Sequence, residues 1–346
     1  MSGPGLPRGC VLGVDIGGTK TALALASVGR DEPLLATRRV ESRAWSDFEA
    51  LAADFLGAAG SPALAAVAIA AAGPVEAGAI QLTNLPWRID ARRVAERLRV
   101  SHVALLNDLE ATALGMLGLP ADAFALLQGD RLRRPGTLAV LAAGTGLGEA
   151  VVLFDGDVPR VLPSEGGQVG FAPRDAREVA LLLHLAGSEH AHVPVESVVS
   201  GPGLVRIHEF LRARESGATL RASRAERSAS LDAAAIAERG ATGADPICAE
   251  ALEIFVACYG SAAGDLALHA LAHGGVWLGG GIAPKLLPVL RRGGFLEAFR
   301  AKGRFREWLA ALPVAVCLAE DAALRGALRA ARRLAIELEL YPTRLA

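Results

Sequence analysis

Three times along this chain an apolar run of β type ends directly in a cluster of glycines. The clusters are Gly17-Gly18, residues 144–148 and residues 279–281. A second apolar run follows the first two clusters, which indicates a β-hairpin closed by a glycine turn. Because glycine turns present bare backbone N–H groups, three of them together predict a nucleotide that is held by its phosphates.

The glycine clusters do not match two common nucleotide-binding motifs. Residues 18–21, Gly-Thr-Lys-Thr, lack the complete frame of a Walker A loop. Residues 144–148 lead into a strand, whereas a dinucleotide fingerprint leads into a helix. Asp15, at the edge of the first turn, can hold Mg²⁺ because this ion prefers oxygen ligands. The alternative is a plain Gly-Gly hairpin with a solvated aspartate beside it.

Short apolar strands alternate with helices along the rest of the chain. Residues 64–71 form a continuous apolar run, which is typical of a parallel strand buried on both faces. Residues 46–49, Ser-Asp-Phe-Glu, predict a helix that is capped by Ser46. The alternation predicts an α/β fold in two lobes, with residues 9–117 and about 319–342 in a small lobe and residues 118–318 in a large one.

Charge and cysteine content exclude several functional classes. The 346 residues carry a formal net charge of −1, which provides no electrostatic footprint for a nucleic acid or an anionic membrane. Four cysteines without C-x-x-C spacing argue against a zinc cluster and against a secreted disulfide framework. The apolar window at residues 62–75 is too short for a membrane span, and no signal peptide is visible. We therefore expect a cytoplasmic protein with no membrane or nucleic-acid partner.

Polar residues in turns and loops are the candidates for chemistry. Asp108 follows a predicted buried strand, and it can accept the proton of a hydroxyl that attacks a γ-phosphate while Asn107 orients the same substrate. The alternative is that Asn107 and Asp108 only cap the next helix. Glu165 and Glu196 suit a polyol, whose hydroxyls both donate and accept hydrogen bonds, or they serve ordinary turns. Trp87 is a stacking platform or a core aromatic residue.

Taken together, these segments resemble the bacterial glucokinase family, of the proteobacterial type, within the actin-like sugar-kinase superfamily. The resemblance covers nearly the whole chain. Its motifs are Asp-Ile-Gly-Gly-Thr (15–19), Thr-Asn-Leu-Pro-Trp (83–87), Leu-Asn-Asp (106–108), Gly-Thr-Gly-Leu-Gly (144–148), Pro-Ser-Glu-Gly-Gly-Gln (163–168), Ser-Gly-Pro-Gly (200–203), Gly-Gly-Gly-Ile-Ala-Pro (279–284) and Lys-Gly-Arg-Phe (302–305).

The resemblance implies a two-lobed, actin-like (ribonuclease H-like) fold with a cleft between the lobes, and a homodimer. It implies ATP-dependent phosphorylation of the 6-hydroxyl of glucose with Mg²⁺, with Asp108 as the catalytic base and Asp15 at the metal. The implied sugar-binding residues are Asn84, Asn107, Asp108, Glu165, Gln168 and Glu196. The implied nucleotide-binding residues are Asp15, Gly17, Gly18, Thr19, Lys20, Gly144, Thr145, Gly146, Gly280 and Gly281.

The chain also departs from the pattern of this family. Gln168 stands where His is usual, and Gly170 stands where Asp is more usual. A kinase for another hexose or an amino sugar is therefore an alternative. A sugar-sensing regulator is a more remote one, because only 14 residues precede Asp15 and no basic helix-turn-helix pattern is visible. The cysteines of the related zinc-containing group are missing, so we expect no structural zinc.

Overall fold

A computed structural model describes residues 9–29, 34–82, 85–156, 158–187, 191–215 and 231–340. The chain contains strands and helices in alternation, as the sequence predicts. The strands are β1 (Cys10–Ile16), β2 (Lys20–Ser27), β3 (Leu34–Glu41), β4 (Leu64–Ala71), β5 (Ala79–Gln81), β6 (Arg88–Asp90), β7 (Val103–Asn107), β8 (Phe124–Gln128), β9 (Leu138–Ala143), β10 (Leu147–Asp155), β11 (Val158–Ser164), β12 (Gly275–Gly279) and β13 (Val314–Cys317).

The helices range from single turns to a 24-residue core helix. They are α1 (Phe48–Ala58), α2 (Ala91–Leu98), α3 (Asp108–Met116), α4 (Ala176–Ala186), α5 (Gly201–Glu215), α6 (Ala233–Thr242), α7 (Pro246–His269), α8 (Ile282–Lys285), α9 (Leu287–Leu290), α10 (Gly294–Arg300), α11 (Arg306–Ala310) and α12 (Ala322–Leu340).

The chain divides into two compact units. Unit 1 consists of Met1–Leu119 and Ala319–Ala346, and unit 2 consists of Pro120–Leu318. The two ends of the chain therefore belong to the same unit. Each unit has its own sheet, and each sheet carries helices that bury its apolar side chains.

Unit 1 is organised around a five-stranded sheet in the order β3-β2-β1-β4-β7. The first three strands are antiparallel neighbours, whereas β1, β4 and β7 run parallel. From Ala66 onward β4 is buried without interruption, because helices or loops cover both of its faces. The prediction of a doubly buried parallel strand at residues 64–71 is confirmed.

Unit 2 repeats this arrangement in a six-stranded sheet with the order β11-β10-β9-β12-β13-β8. Strands β9 and β10 form an antiparallel hairpin in which Ala143 faces Leu147, as Ile16 faces Thr21 across β1 and β2. In both sheets the first strand of the hairpin then pairs in parallel with a strand from later in the chain. The hairpin with a glycine turn and its parallel neighbour therefore occur once in each unit.

Helix α7 is the central helix of unit 2. By length and composition it would be able to cross a membrane, but 78% of its most apolar window is buried inside the protein. Its buried face contacts α5, α6 and α10. The core helix of a globular unit passes the same hydropathy test, so this helix carries no indication of a membrane span.

Helices α1, α2 and α7 each begin directly after an aspartate that caps the first turn. Asp90 and Asp245 accept hydrogen bonds from backbone N–H groups in the first turns of α2 and α7. For α1 the prediction was wrong by one residue. Asp47 is the N-cap, with its Oδ1 accepting from the N–H of Ala50 at 2.7 Å, whereas Ser46 donates to the Asp47 carboxylate.

Candidate active site

In unit 1 the candidate residues lie at the carboxyl ends of the parallel strands. Asp15 is the penultimate residue of β1, Asn107 ends β7, and Asp108 begins α3. The side-chain amide of Asn107 donates to the carbonyl oxygen of Gly73, which follows β4, at 3.3 Å. Ligands of open α/β sheets bind at this edge, because the strand ends leave a crevice there. The structure thus brings Asp15, Asn107 and Asp108 to one edge of one sheet.

The turn between β1 and β2 is closed by a hydrogen bond from the N–H of Gly17 to the carbonyl oxygen of Lys20, at 2.9 Å. Among the described residues, no protein acceptor receives a hydrogen bond from the N–H groups of Gly18 and Thr19. These two donors are free for an anion. Lys20 is exposed and lies 3.8 Å from Glu41, in a surface ion pair that contributes little to stability.

Two buried hydroxyl groups support this turn, and the sequence analysis missed both. Thr21 and Ser42 are fully buried and share a hydrogen bond of 2.9 Å. The backbone N–H of Ser42 also donates to the carbonyl oxygen of Thr19 at 2.9 Å. Only the pairing of β2 with β3 brings Ser42 to this place, so no local pattern could have found it.

The carboxylates of Asp15 and Asp108 influence each other. Burial raises the pKa of Asp15 to about 6, and the negative charge of Asp108 adds to this effect, while Arg39 opposes it. The Asp108 side chain remains accessible to solvent, but the protein atoms packed around its carboxylate raise its pKa, against the lowering effect of the Leu109 N–H. Two partly desolvated carboxylates that repel each other favour the binding of a proton or a cation.

Asn107 also has the structural role that the sequence left open. Its Oδ1 accepts a hydrogen bond from the N–H of Leu109 at 2.9 Å, so it is the N-cap of α3. Asp108 is therefore presented at the first turn of a helix, where the helix dipole stabilises a negative charge. The capping role and the candidate catalytic role coexist at this position.

The motif at residues 83–87 is described only in part. Asn84 lies outside the described residues. Trp87 is 3% exposed and packs in the same core as Leu85 and Ile89, so it is a core aromatic residue and not a stacking platform.

In unit 2 the turn between β9 and β10 resembles the first turn in its hydrogen bonds. The N–H of Gly144 donates across the turn to the carbonyl oxygen of Gly146 at 2.8 Å. Thr145 and Gly146 donate from their own N–H groups to no acceptor among the described residues. Each hairpin turn thus presents two successive backbone donors.

The third glycine cluster meets the second at the ends of two paired strands. Gly279 ends β12 opposite Ala142 of β9. Gly280 has a φ of +76°, and a Cβ atom there would overlap the carbonyl oxygen of Ala143. Only glycine fits this position. Gly281 is the residue before α8, and open space surrounds the position of its missing side chain.

Glu196 connects the glycine turn with the segment that carries Glu165. One carboxylate oxygen, Oε2, accepts from the N–H of Leu147 at 2.8 Å, and the other accepts from Nε2 of Gln168 at 3.2 Å. Glu165 is exposed and lies at the start of a single 3₁₀ turn that ends at Gln168. Glu196 and Gln168 are therefore in contact, and Glu165 is three residues away along the chain.

His192 is a further residue of this segment that the sequence analysis missed. Its Nε2 lies 2.8 Å from the carbonyl oxygen of Gln168. Two backbone hydrogen bonds of 2.8 Å, from the N–H of Phe171 to Val193 and from the N–H of Val195 to Val169, join residues 169–171 to residues 193–195. Hydrogen bonds to the Gln168 side chain and to the neighbouring backbone thus hold this segment in place.

The described residues contain no group of three or more His, Cys, Asp or Glu side chains that could hold a metal ion. A Mg²⁺ ion that is bound mainly by phosphate oxygens and water needs only one or two carboxylates from the protein. The mutual repulsion of Asp15 and Asp108 fits such an ion.

The chain is similar to known proteins in its sequence and its fold. A family model described as glucokinase matches residues 12–334. A glucokinase of Nostoc sp. is 37% identical over 340 residues, which cover 94% of this chain and 99% of the relative.

Two solved structures are also similar. A glucokinase from an Antarctic psychrotroph has a TM-score of 0.81 at 29% identity, and the match covers 94% of this chain and 99% of that one. The glucokinase of Balamuthia mandrillaris, solved in complex with glucose, has a TM-score of 0.79 at 25% identity and covers 94% of both chains. With a family model that spans most of its length and relatives above one-third identity, this chain belongs to the glucokinase family.

Proposed function

We propose that this protein transfers the γ-phosphoryl group of ATP to the 6-hydroxyl of glucose. The observation that carries the proposal is the placement of Asp15, Asn107 and Asp108 at one edge of the unit 1 sheet, in a chain of the glucokinase family. The chain has the actin-like fold of the sugar kinases, which its similarity to a solved glucokinase supports.

Asp108 is the proposed general base. Burial raises the pKa of the Asp108 carboxyl above its ordinary value, which makes its carboxylate a stronger base than that of an ordinary aspartate. It would take the proton of the sugar hydroxyl as the oxygen attacks phosphorus. Asn107, held by Gly73 and the N-terminus of α3, would orient the same hydroxyl group.

The two hairpin turns are the proposed phosphate-binding elements. Their free N–H groups at Gly18, Thr19, Thr145 and Gly146 would donate to phosphate oxygens. Gly280 and Gly281 would leave room for the rest of the nucleotide. Asp15 would hold Mg²⁺, which offsets the negative charge that develops on the phosphate oxygens.

Glu165, Gln168 and Glu196 are the proposed sugar-binding residues of unit 2, and Asn84 is the further proposed one of unit 1. The carboxylates accept hydrogen bonds from hydroxyl groups, and the amide of Gln168 both donates and accepts. We also propose that the protein is a cytoplasmic homodimer, as the family resemblance implies.

A coupled assay with ATP and a panel of hexoses and amino sugars tests the proposed activity. We expect the highest kcat/KM with glucose. A clear preference for another sugar would support the alternative that Gln168 suggests, although the relatives named here are glucokinases. An absence of turnover with every sugar, in a protein that still binds glucose, would support the sugar-sensing alternative.

A further inference from the structure

Glu149 is a buried carboxylate for which the proposed reaction provides no role. It lies near the start of β10, and its side chain is 8% exposed. No hydrogen-bond donor among the described residues reaches its carboxylate oxygens. The carboxylate lies against the backbone of Gly166, where a Cβ atom would overlap its Oε2. A largely buried carboxylate that no protein donor reaches is costly to ionise, so it favours a bound proton, water or cation.

The carboxylate lines a partly open cavity of about 70 Å³ inside unit 2. This space is sufficient for about five water molecules or for a small organic molecule, since the centre of one water molecule needs roughly 10–15 Å³. Most of its wall is apolar, with a few polar groups, as is typical of small-molecule sites. The residues that line it include Glu149, Phe171, Ser261, Ala262, Asp265 and Leu266.

The second acidic group of the wall, Asp265, already has a partner. Lys302 lies 2.6 Å from its carboxylate and also donates to the Ser261 hydroxyl at 2.9 Å. Glu149 has no such cation. Burial, together with the charge of Asp265, raises the pKa of Glu149 to about 7. The other titratable groups of the wall are Cys258 and His269.

We propose that this cavity binds a small organic ammonium ion, whose charged head pairs with Glu149 and whose apolar body contacts Phe171 and Leu266. An ammonium group brings three hydrogen-bond donors to an acceptor that has none. Anions are disfavoured because two carboxylates line the wall. Neutral apolar molecules would leave Glu149 unpaired.

Calorimetric titration with n-butylammonium chloride at pH 8 tests the proposal, with sodium chloride at equal ionic strength as the reference. We expect saturable binding to the wild-type protein and at least tenfold weaker binding to Glu149→Gln. The matched control is Asp155→Asn, an exposed carboxylate at the other end of β10, which should bind as the wild type does. The absence of binding, or equal affinity in Glu149→Gln, would overturn the proposal.

The pH dependence provides a second measurement that needs no variant at position 149. Because the ammonium ion favours the ionised carboxylate, affinity should rise with pH up to about 7 and level off above it. At pH 7 binding should release protons, which appear as a dependence of the heat on the buffer. If His269→Gln shows the same pH dependence of affinity as the wild type, Glu149 is supported as the titrating group. Loss of that pH dependence in His269→Gln would overturn this assignment. Calorimetry needs no turnover, so the test is independent of the proposed kinase activity.

Discussion

Gln168 and Glu196 are joined by a hydrogen bond of 3.2 Å, and the same Glu196 carboxylate accepts from the N–H of Leu147 at 2.8 Å. One side chain therefore links the glycine turn of unit 2 with the proposed sugar-binding segment.

The variant Glu196→Gln tests this link. A neutral amide at this position can still accept from the N–H of Leu147 and pair with the amide of Gln168, but it no longer offers a charged acceptor to these two donors. Loss of a hydrogen bond to a charged acceptor corresponds to about 1.5–3 kcal/mol, so we expect KM for glucose to rise by roughly 10- to 100-fold. Steady-state kinetics measures KM for glucose in both proteins. Glu253→Gln, an exposed residue of α7, is the control, and an unchanged KM in Glu196→Gln would contradict the assignment.

Replacement of Asp108 by Asn should abolish proton transfer without unfolding the protein. Asn107 remains as the N-cap of α3, so we expect the denaturation midpoint to change little. Loss of a general base lowers kcat by about 10²–10⁴-fold, whereas KM for glucose should change much less. Asp122→Asn, at an exposed position, serves as the control. A kcat within a few-fold of the wild type would reassign the base.

Two glycines allow the close packing of α3 against α12. A Cβ atom at Gly326 would overlap the carbonyl oxygen of Ala111, and one at Gly115 would overlap that of Ala322. We expect Gly326→Ala to destabilise unit 1 by about 1–3 kcal/mol, because the helices have to separate.

The control for Gly326→Ala is Gly57→Ala on the exposed face of α1, where nothing lies within 4 Å of the added Cβ. It should stabilise the protein by about 0.5–1 kcal/mol, because alanine is the better helix former. Urea denaturation distinguishes the two variants. Equal effects would mean that the helices do not pack as closely as described.

Glu149 should make the stability of the protein depend on pH. Burial raises its pKa from an ordinary value of about 4.5 to about 7, so the folded state binds the proton more tightly than the unfolded state does. Stability is therefore highest below the unfolded pKa and falls as the pH rises through 7. The upper limit of the loss is about 3 kcal/mol.

Comparison of wild type with Glu149→Gln between pH 4.5 and 8 isolates this contribution. The variant should be close to the wild type in stability at pH 4.5 and more stable at pH 8, as measured by chemical denaturation. Parallel pH profiles would show that Glu149 is solvated in the folded protein.

The alternation of strands and helices was predictable because local apolar patterns mark it. The strand at residues 64–71 is an example. The start of α1 was misplaced, since Ser46 and Asp47 are both good N-cap residues and only tertiary packing selects between them.

Features that depend on distant parts of the chain escaped the sequence analysis. Thr21 and Ser42 meet only through strand pairing, and His192 reaches Gln168 across a long connection. Glu149 resembles a solvent-facing residue in a short strand, and its burial depends on α7. The assignment of Asp108 and Glu196 to chemistry came from the family resemblance, because helix caps and loop carboxylates have the same local patterns.

Unit 1 is closed by α12, which packs on β1 so closely that a Cβ at Gly13 would overlap Leu328. This order has a consequence during synthesis. Every strand of unit 2 has been made once residue 318 has left the ribosome, but the β1–β4 face of unit 1 must wait for residues beyond 322. Strand β1 is thus made before unit 2 but covered only after it, so its face is a nascent surface that chaperones would have to protect for a long time.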